Sequence, residues 1–329
     1  MVSLKAFLTT ILAGALPGAS SQSGSWSTLA PIPVGGTLQE HTTVALSDSL
    51  LAVLGGIVQS SETTDNVLLY NITADAWTQV ASLPIPLNHI NAVAVNGSIY
   101  VLGGLSAETN RPAVGDSFRY DPEADTWEGL EPMPEEVKRG AAVMGVYGDK
   151  VYLAGGIPSR STSLDDVSVF DISAGEWLEV PEKARHIPEP RDHGGGAVID
   201  GKFYVLGGRY SGAENVKSTV FILDLENLEG GWSTSEATMP TARGGLSAAP
   251  VGTKLYTFGG EGNPEEGTKG VFDDVEVYDA EADEWEVLEP MELPRHGASA
   301  AAVDGRIYIP GGGTQQGLGA TDFFDVYEP

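Results

Sequence analysis

The chain has 329 residues, with 42 glycines, 20 prolines, no cysteine, 41% hydrophobic content and a formal net charge of −28 at pH 7. The missing cysteine excludes disulfides, thiolate nucleophiles and thiolate metal ligands. The acidic surplus argues against nucleic acid or an anionic membrane surface as partner.

Residues 1–20 read as a secretory signal peptide: Lys5 supplies the short basic region, residues 6–16 the apolar stretch, and Gly18, Ala19, Ser20 and Ser21 a small-residue cleavage point. The expectation is a secreted, extracellular protein with one domain over 21–329, and no second hydrophobic span that would anchor it in a membrane. No later stretch sustains a helical period, and short Val/Ile/Tyr-rich segments between turn residues read as strands.

An apolar strand running into Gly-Gly then recurs six times, with first glycines at Gly55, Gly103, Gly155, Gly207, Gly259 and Gly311. The steps are 48, 52, 52, 52 and 52 residues, a period that marks a repeat architecture. Ahead of each doublet lies a strand of small residues and a tight turn, as in residues 91–95, Asn96-Gly97 and the strand over residues 98–102. Asn-Gly and Asp-Gly are hairpin turns because both central residues take positive φ. Behind each doublet a variable loop leads to a third strand that closes on an aromatic, with tryptophan seven residues on: Tyr70 to Trp77, Tyr120 to Trp127, Phe170 to Trp177 and Tyr278 to Trp285. In the fourth unit Phe221 and Trp232 are eleven apart, with residues 227–231 inserted.

Four antiparallel strands in each of six units predict an all-β, six-bladed β-propeller. The sixth unit stops after its third strand, at residues 324–329, and Ser25-Trp26-Ser27-Thr28-Leu29 supplies the missing fourth. An N-terminal strand completing the last blade closes the ring and removes a free sheet edge. Gly-Gly, Tyr-Asp-Pro and Trp within about fifty residues resemble the kelch repeat, over essentially the whole chain after residue 20. The resemblance implies a propeller but no single activity, since propellers of this family are binding modules in most cases and enzymes in some. The tyrosine–cysteine cofactor of galactose-oxidase-like relatives is excluded by the absence of cysteine. The iron-ligand pattern Glu-x-x-x-Asp-x-x-x-His of the specifier-type relatives has no match here.

Counting sixteen residues back from each first glycine gives Gln39, Leu87, Arg139, Arg191, Arg243 and Arg295. Two residues later, facing the same way on a strand, come His41, His89, Ala141, His193, Gly245 and Gly297, with His296 one place off. The sequence therefore places Arg139, Arg191, Arg243, Arg295, His41 and His296 at the channel mouth as binding residues, where guanidinium groups suit a carboxylate or phosphate; the alternative for the four arginines is structural, tying adjacent blades through backbone carbonyls. His89 and His193 are the candidate catalytic acid or base. No metal site and no cofactor is expected. The sequons at Asn71 and Asn96 fall on turns at the opposite end, so glycans there leave the mouth clear. The expected function is binding of a small anionic ligand or an acidic protein segment by a monomer. The alternative is an isomerase, lyase or cyclase that uses no cofactor or thiol in the same mouth. Loops 57–65, 105–115, 157–165, 209–216, 261–272 and 313–320 would set specificity.

Overall fold

The computed structural model describes residues 24–33, 36–159 and 162–329; the expected signal peptide lies outside them. Blade 1 is Thr42–Ser47, Leu50–Leu54, Val67–Asn71 and Ala76–Gln79, each strand pairing antiparallel with the next. Blades 3, 4 and 5 repeat that order in the sheets that begin at Val143, Gly195 and Ser247. Blade 2 is larger: its second strand, Ser98–Ser106, continues through the glycine doublet with a register slip at Gly103 and also pairs with Leu87–Asn88. Blade 6 consists of Ala301–Val303, Arg306–Pro310, Phe324–Glu328 and, outermost, Ser25–Thr28. The closing register is Ser25 on Glu328, Trp26 on Tyr327, Ser27 on Val326 and Thr28 on Asp325, as the truncated sixth unit requires.

The core is a ring of six interfaces between neighbouring blades. Tyr152 and Val169 of blade 3 meet Phe203 and Phe221 of blade 4, and Leu51 and Tyr70 of blade 1 meet Tyr308 and Phe324 of blade 6. The strands alternate apolar residues toward both neighbours, so each sheet is buried on two faces. The aromatic spacing has a polar purpose as well. The Tyr70, Tyr120 and Tyr278 hydroxyls donate to Asp75, Asp125 and Asp283, while the indole N–H of Trp77 and Trp127 donates to the Ala30 and Ala81 carbonyls in the linker before each blade. In blade 3, Phe170 has no hydroxyl to give, and Gly175 stands where the aspartate would be. Residues 228–230 of the fourth-unit insertion form a single 3-10 turn.

The glycine doublets join adjacent blades. At Gly155 a Cβ would come within 2.2 Å of the Arg191 carbonyl oxygen, and the next amide, Gly156, donates to that oxygen at 2.7 Å. The same stitch recurs from Gly56 to Leu87, Gly208 to Arg243, Gly260 to Arg295 and Gly312 to Leu38. In blade 2, whose second strand continues past the doublet, the Asn91 side-chain amide bonds the Arg139 carbonyl instead.

Candidate functional site

Each blade enters its innermost strand through one residue in the left-handed region: Glu40, His89, Ala141, His193, Gly245 and Gly297, with φ of 54°, 50°, 55°, 52°, 61° and 56°. Their backbones form a closed ring of hydrogen bonds. Glu40 donates to Gly297, His89 to Glu40, Ala141 to His89, His193 to Ala141, Gly245 to His193 and Gly297 to Gly245, at 2.7–3.3 Å. The ring lies where the narrow channel lined by the first strands meets a wider cavity of about 400 Å³ at the mouth. Left-handed geometry costs an L-residue about 1–2 kcal/mol relative to glycine. Blades 5 and 6 use glycine there, so Glu40, His89 and His193 are held against a local preference.

Blade 1 is offset by one residue from the count made on the doublets. Its register slips between Ala45 and Ser47, where the first strand carries one extra residue. Glu40 therefore occupies the ring position expected for His41, and Leu38 takes the place of the arginines. His41 is turned away from the mouth and buried beside Gly311. Burial pushes its imidazole down to about 4, the Glu40 carboxylate and the Pro310 carbonyl opposing only in part.

The four arginines are buried inside their blades and not exposed at the mouth, the placement that goes with the structural one of their two expected roles. Each is at most 1% exposed and lies across the upper ends of the second and third strands of its own blade. Arg139 donates to the Val137, Leu153 and Asp166 carbonyls and to Ser168. Arg191 holds the Gly207 carbonyl, Thr219 and Glu189, and Arg243 holds Glu276 at 2.6 Å with Thr257. Arg295 caps the Leu293 and Ile309 carbonyls and pairs with Asp325. Strand ends that diverge into loops leave carbonyls without ladder partners, and a long planar donor satisfies several at once.

The remaining candidates do converge. His89 Nε2 is 3.3 Å and His193 Nε2 4.0 Å from Glu40 Oε2, and the two imidazole rings meet edge to face at 4.9 Å. His296 Nδ1 lies 3.5 Å from Glu40 Oε1 and 3.6 Å from Glu261 Oε2. Asp192 Oδ1 accepts from His193 Nδ1 at 2.5 Å and from Arg209 Nε at 3.0 Å, and Asp192 also accepts from Ser163. The Arg209 guanidinium pairs with Glu261 and directs its second terminal nitrogen to His193 Nε2 at 3.2 Å.

Burial works to raise the Glu40 carboxyl, but His89, then His296 and His193, outweigh it and hold it well below the usual carboxylate range. Burial pushes His89 down to about 3, more than Glu40 restores, so at neutral pH a carboxylate faces a neutral imidazole. Burial likewise tends to lower His296, yet its contact with Glu40 and the Glu261 charge raise it. Burial opposes ionisation of Asp192, and His193, Arg209 and Ser163 together overcome it.

All six variable loops contribute to the mouth cavity, which has two unlike sides. The residue directly after each doublet decides the side: Ile57, Leu105 and Ile157 in blades 1–3, then Arg209, Glu261 and Gly313 in blades 4–6. Arg209 and Glu261 are cavity-lining residues that the doublet count did not single out. Their signal was a change from apolar to charged residues at that one repeat position. Asn71 and Asn96 are exposed on turns at the far end, where Asn71 Oδ1 accepts from the Ala74 amide. Among the described residues, two groups bring three metal-ligating side chains together: Glu40, His89 and His193 with ligand atoms within 4.8 Å, and the more exposed Asp165, Asp166 and His186.

Comparison with known proteins agrees with the repeat pattern. The family described as the KLHDC2/KLHL20/DRC7 Kelch-repeats domain matches residues 20–208 and again 140–328. The Kelch-like protein terF of Aspergillus terreus is 38% identical over 321 residues, 93% of this chain and 68% of that protein. Kelch-like protein 34 of Homo sapiens is 28% identical over 264 residues, 76% of this chain and 38% of its own length. The N-(sulfonatooxy)prop-2-enimidothioate sulfolyase of Thlaspi arvense is 31% identical over 155 residues, 45% of this chain and 43% of that protein. The chain thus spans less than half of the human and plant relatives. With six blades, a closing N-terminal strand and a family match over nearly its whole length, the chain belongs to the kelch-repeat propellers.

Proposed function

We propose that the mouth is a small-molecule site that carries out a redox-neutral, proton-transferring conversion such as an isomerisation, an elimination or a ring closure. The observation that carries this reading is the placement of Glu40, His89 and His193 at three left-handed ring positions, where they meet in one cavity. Ala141 takes the same left-handed backbone with only a methyl group, so what points to chemistry is the convergence of the three polar side chains that the ring carries. The cavity, at about 400 Å³, is within the usual range for small-molecule sites. Ile57, Leu105 and Ile157 would receive an apolar part of the substrate, and Arg209 an acidic or enolisable group opposite. A relative named as a sulfolyase supports lyase chemistry on a related propeller. Plain capture of an acidic partner by four rim arginines loses its ground, because those arginines are inside the blades. The basic and apolar pattern of residues 1–20 supports a secreted setting, checked by the N-terminal sequence of the mature chain.

The test is a panel of small aromatic and aliphatic acids, keto acids and sugar acids, read first as shifts in Tm and then as turnover. Compounds with one acidic group and an apolar body should raise Tm, and Arg209→Gln should abolish the shift. Turnover of a hit should fall at least about 100-fold in Asp192→Asn if His193 needs its carboxylate partner. A panel without hits, beside tight binding of acidic peptides, would sink the reading in favour of a protein-binding mouth.

A further inference from the structure

We infer that Glu40, His89 and His193 bind one divalent first-row transition-metal ion, with open coordination positions facing the mouth cavity. The hydrogen-bond network fixes the tautomers on which this depends. The Asn88 amide nitrogen donates to Thr63 Oγ1 at 2.9 Å and to the Leu105 and Ser106 carbonyls at 3.2 Å, so its oxygen is the atom turned to His89 Nδ1 at 2.6 Å. That oxygen can only accept, so His89 carries its proton on Nδ1 and a lone pair on Nε2. His193 follows the same logic: Nδ1 donates to the Asp192 carboxylate at 2.5 Å, and Nε2 accepts from Arg209. Two imidazole lone pairs and the Glu40 carboxylate therefore point at one another, with the ring protons turned outward to Asn88 and Asp192.

Three convergent lone pairs are the electrostatic complement of a cation. Bonds of about 2.1 Å to one ion set ligand atoms about 3.0–3.4 Å apart. The His89–Glu40 distance of 3.3 Å already meets that spacing, and His193 Nε2 at 4.0 Å needs only a small closure. Both histidines have the outer partner typical of metal ligands, an oxygen that holds the distal N–H and orients the ring. Two imidazoles and one carboxylate suit iron(II), manganese, cobalt, nickel or zinc, not the oxygen-rich shells of calcium and magnesium. Three carboxylates, Glu40, Asp192 and Glu261, outnumber the permanent cation Arg209 by two, and by one when the His296 imidazole between Glu40 and Glu261 carries its proton, which leaves room for positive charge. Arg209 would give up His193 Nε2 and keep Asp192 and Glu261, which already hold its Nε and the other terminal nitrogen.

The ion deepens the reading of the mouth as a reactive site, but its test needs no substrate. The full chain is stripped with EDTA, dialysed and titrated with cobalt(II), followed by visible absorption and calorimetry, then competed with zinc. The expected result is one equivalent bound. His89→Gly, His193→Gly and Glu40→Gly should each weaken binding at least about 100-fold, and Asn88→Ala about 10-fold. Glycine occupies the same ring position in blades 5 and 6, so these variants should keep or raise the wild-type Tm. His186→Ala should bind as the parent does. The inference is overturned if the stripped protein takes up neither cobalt nor zinc, or if the ring variants bind as well as the parent. A metal-binding protein that ignores every small acid would sink the proposed function alone. Small-acid binding by a protein that takes no metal would sink the ion alone.

Discussion

The His89 amide donates to the Glu40 carbonyl at 2.8 Å, and the His89 Nε2 lies 3.3 Å from the carboxylate of the same glutamate. One residue pair thus closes part of the backbone ring and forms part of the acid–base cluster. Because the ring fixes both left-handed backbones, the two side chains converge without a search through alternative loop conformations, which is how a rigid scaffold preorganises a site.

The ring makes its own energetic prediction at a position with no chemistry. Ala141 has φ of 55° and contributes little more than a methyl group. Ala141→Gly should stabilise the protein by about 0.5–1 kcal/mol, since relief of the left-handed cost exceeds the added entropy of the unfolded chain. Urea denaturation checks it. A loss of stability would show that the ring backbone is not strained at non-glycine positions.

The buried arginines should affect folding, not recognition. Arg243 and Glu276 are both fully buried and paired at 2.6 Å. Arg243→Ala strands the Glu276 carboxylate and should cost about 3–5 kcal/mol, whereas replacing both partners by Met and Leu should recover much of the loss. Denaturation curves of the single and double variants measure this. An Arg243→Ala protein that is fully stable and has lost only ligand affinity would restore the rim reading of the sequence.

Acid stability should depend on the turns between the third and fourth strands of blades 1, 2 and 5. The Tyr70 hydroxyl first, then the Ala30 amide, holds Asp75 below the usual range; for Asp125 the Ala81 amide leads, ahead of Tyr120. Ser235 does most to hold Asp283 down, with burial opposing and Tyr278 adding to it. A carboxyl with a lower pKa folded than unfolded binds fewer protons when folded, so its contribution is complete above the unfolded value, about 3.9. It is lost as pH falls through the folded value. Tm measured from pH 5 to pH 2.5 should fall less steeply in Asp75→Asn and Asp283→Asn than in the parent. Parallel curves would remove these turns from the acid response.

Closure by the N-terminal strand should be worth more than its four residue pairs suggest. Trp26 packs at 5.7 Å from Phe258 and 4.9 Å from Tyr327, measured between ring centroids. Trp26→Ala should cost about 2 kcal/mol, below the range for fully buried aromatics because the indole is only half-buried. Removal of residues up to 29 should expose the edge of Phe324–Glu328 and yield a protein that associates or aggregates. Size-exclusion chromatography of the truncated chain decides this, and a stable monomer would contradict it.

The sequence by itself determined the propeller, its six blades and its closure. Those follow from residue types at near-constant spacing: doublets 48 or 52 residues apart, aromatics seven before tryptophan in four units, and a last unit lacking the strand that residues 25–28 supply. It also indicated His89 and His193, whose ring positions lie fourteen residues before their doublets as counted. Tertiary structure alone decided the rest. The extra residue between Ala45 and Ser47 moves Glu40, not His41, into the ring, because one residue of slip reverses which face a side chain presents. The direction of the arginines was equally out of reach of counting. A periodic position says which blade an arginine belongs to, but whether its guanidinium turns to the channel or across the strand ends depends on which carbonyls the folded blade leaves without partners.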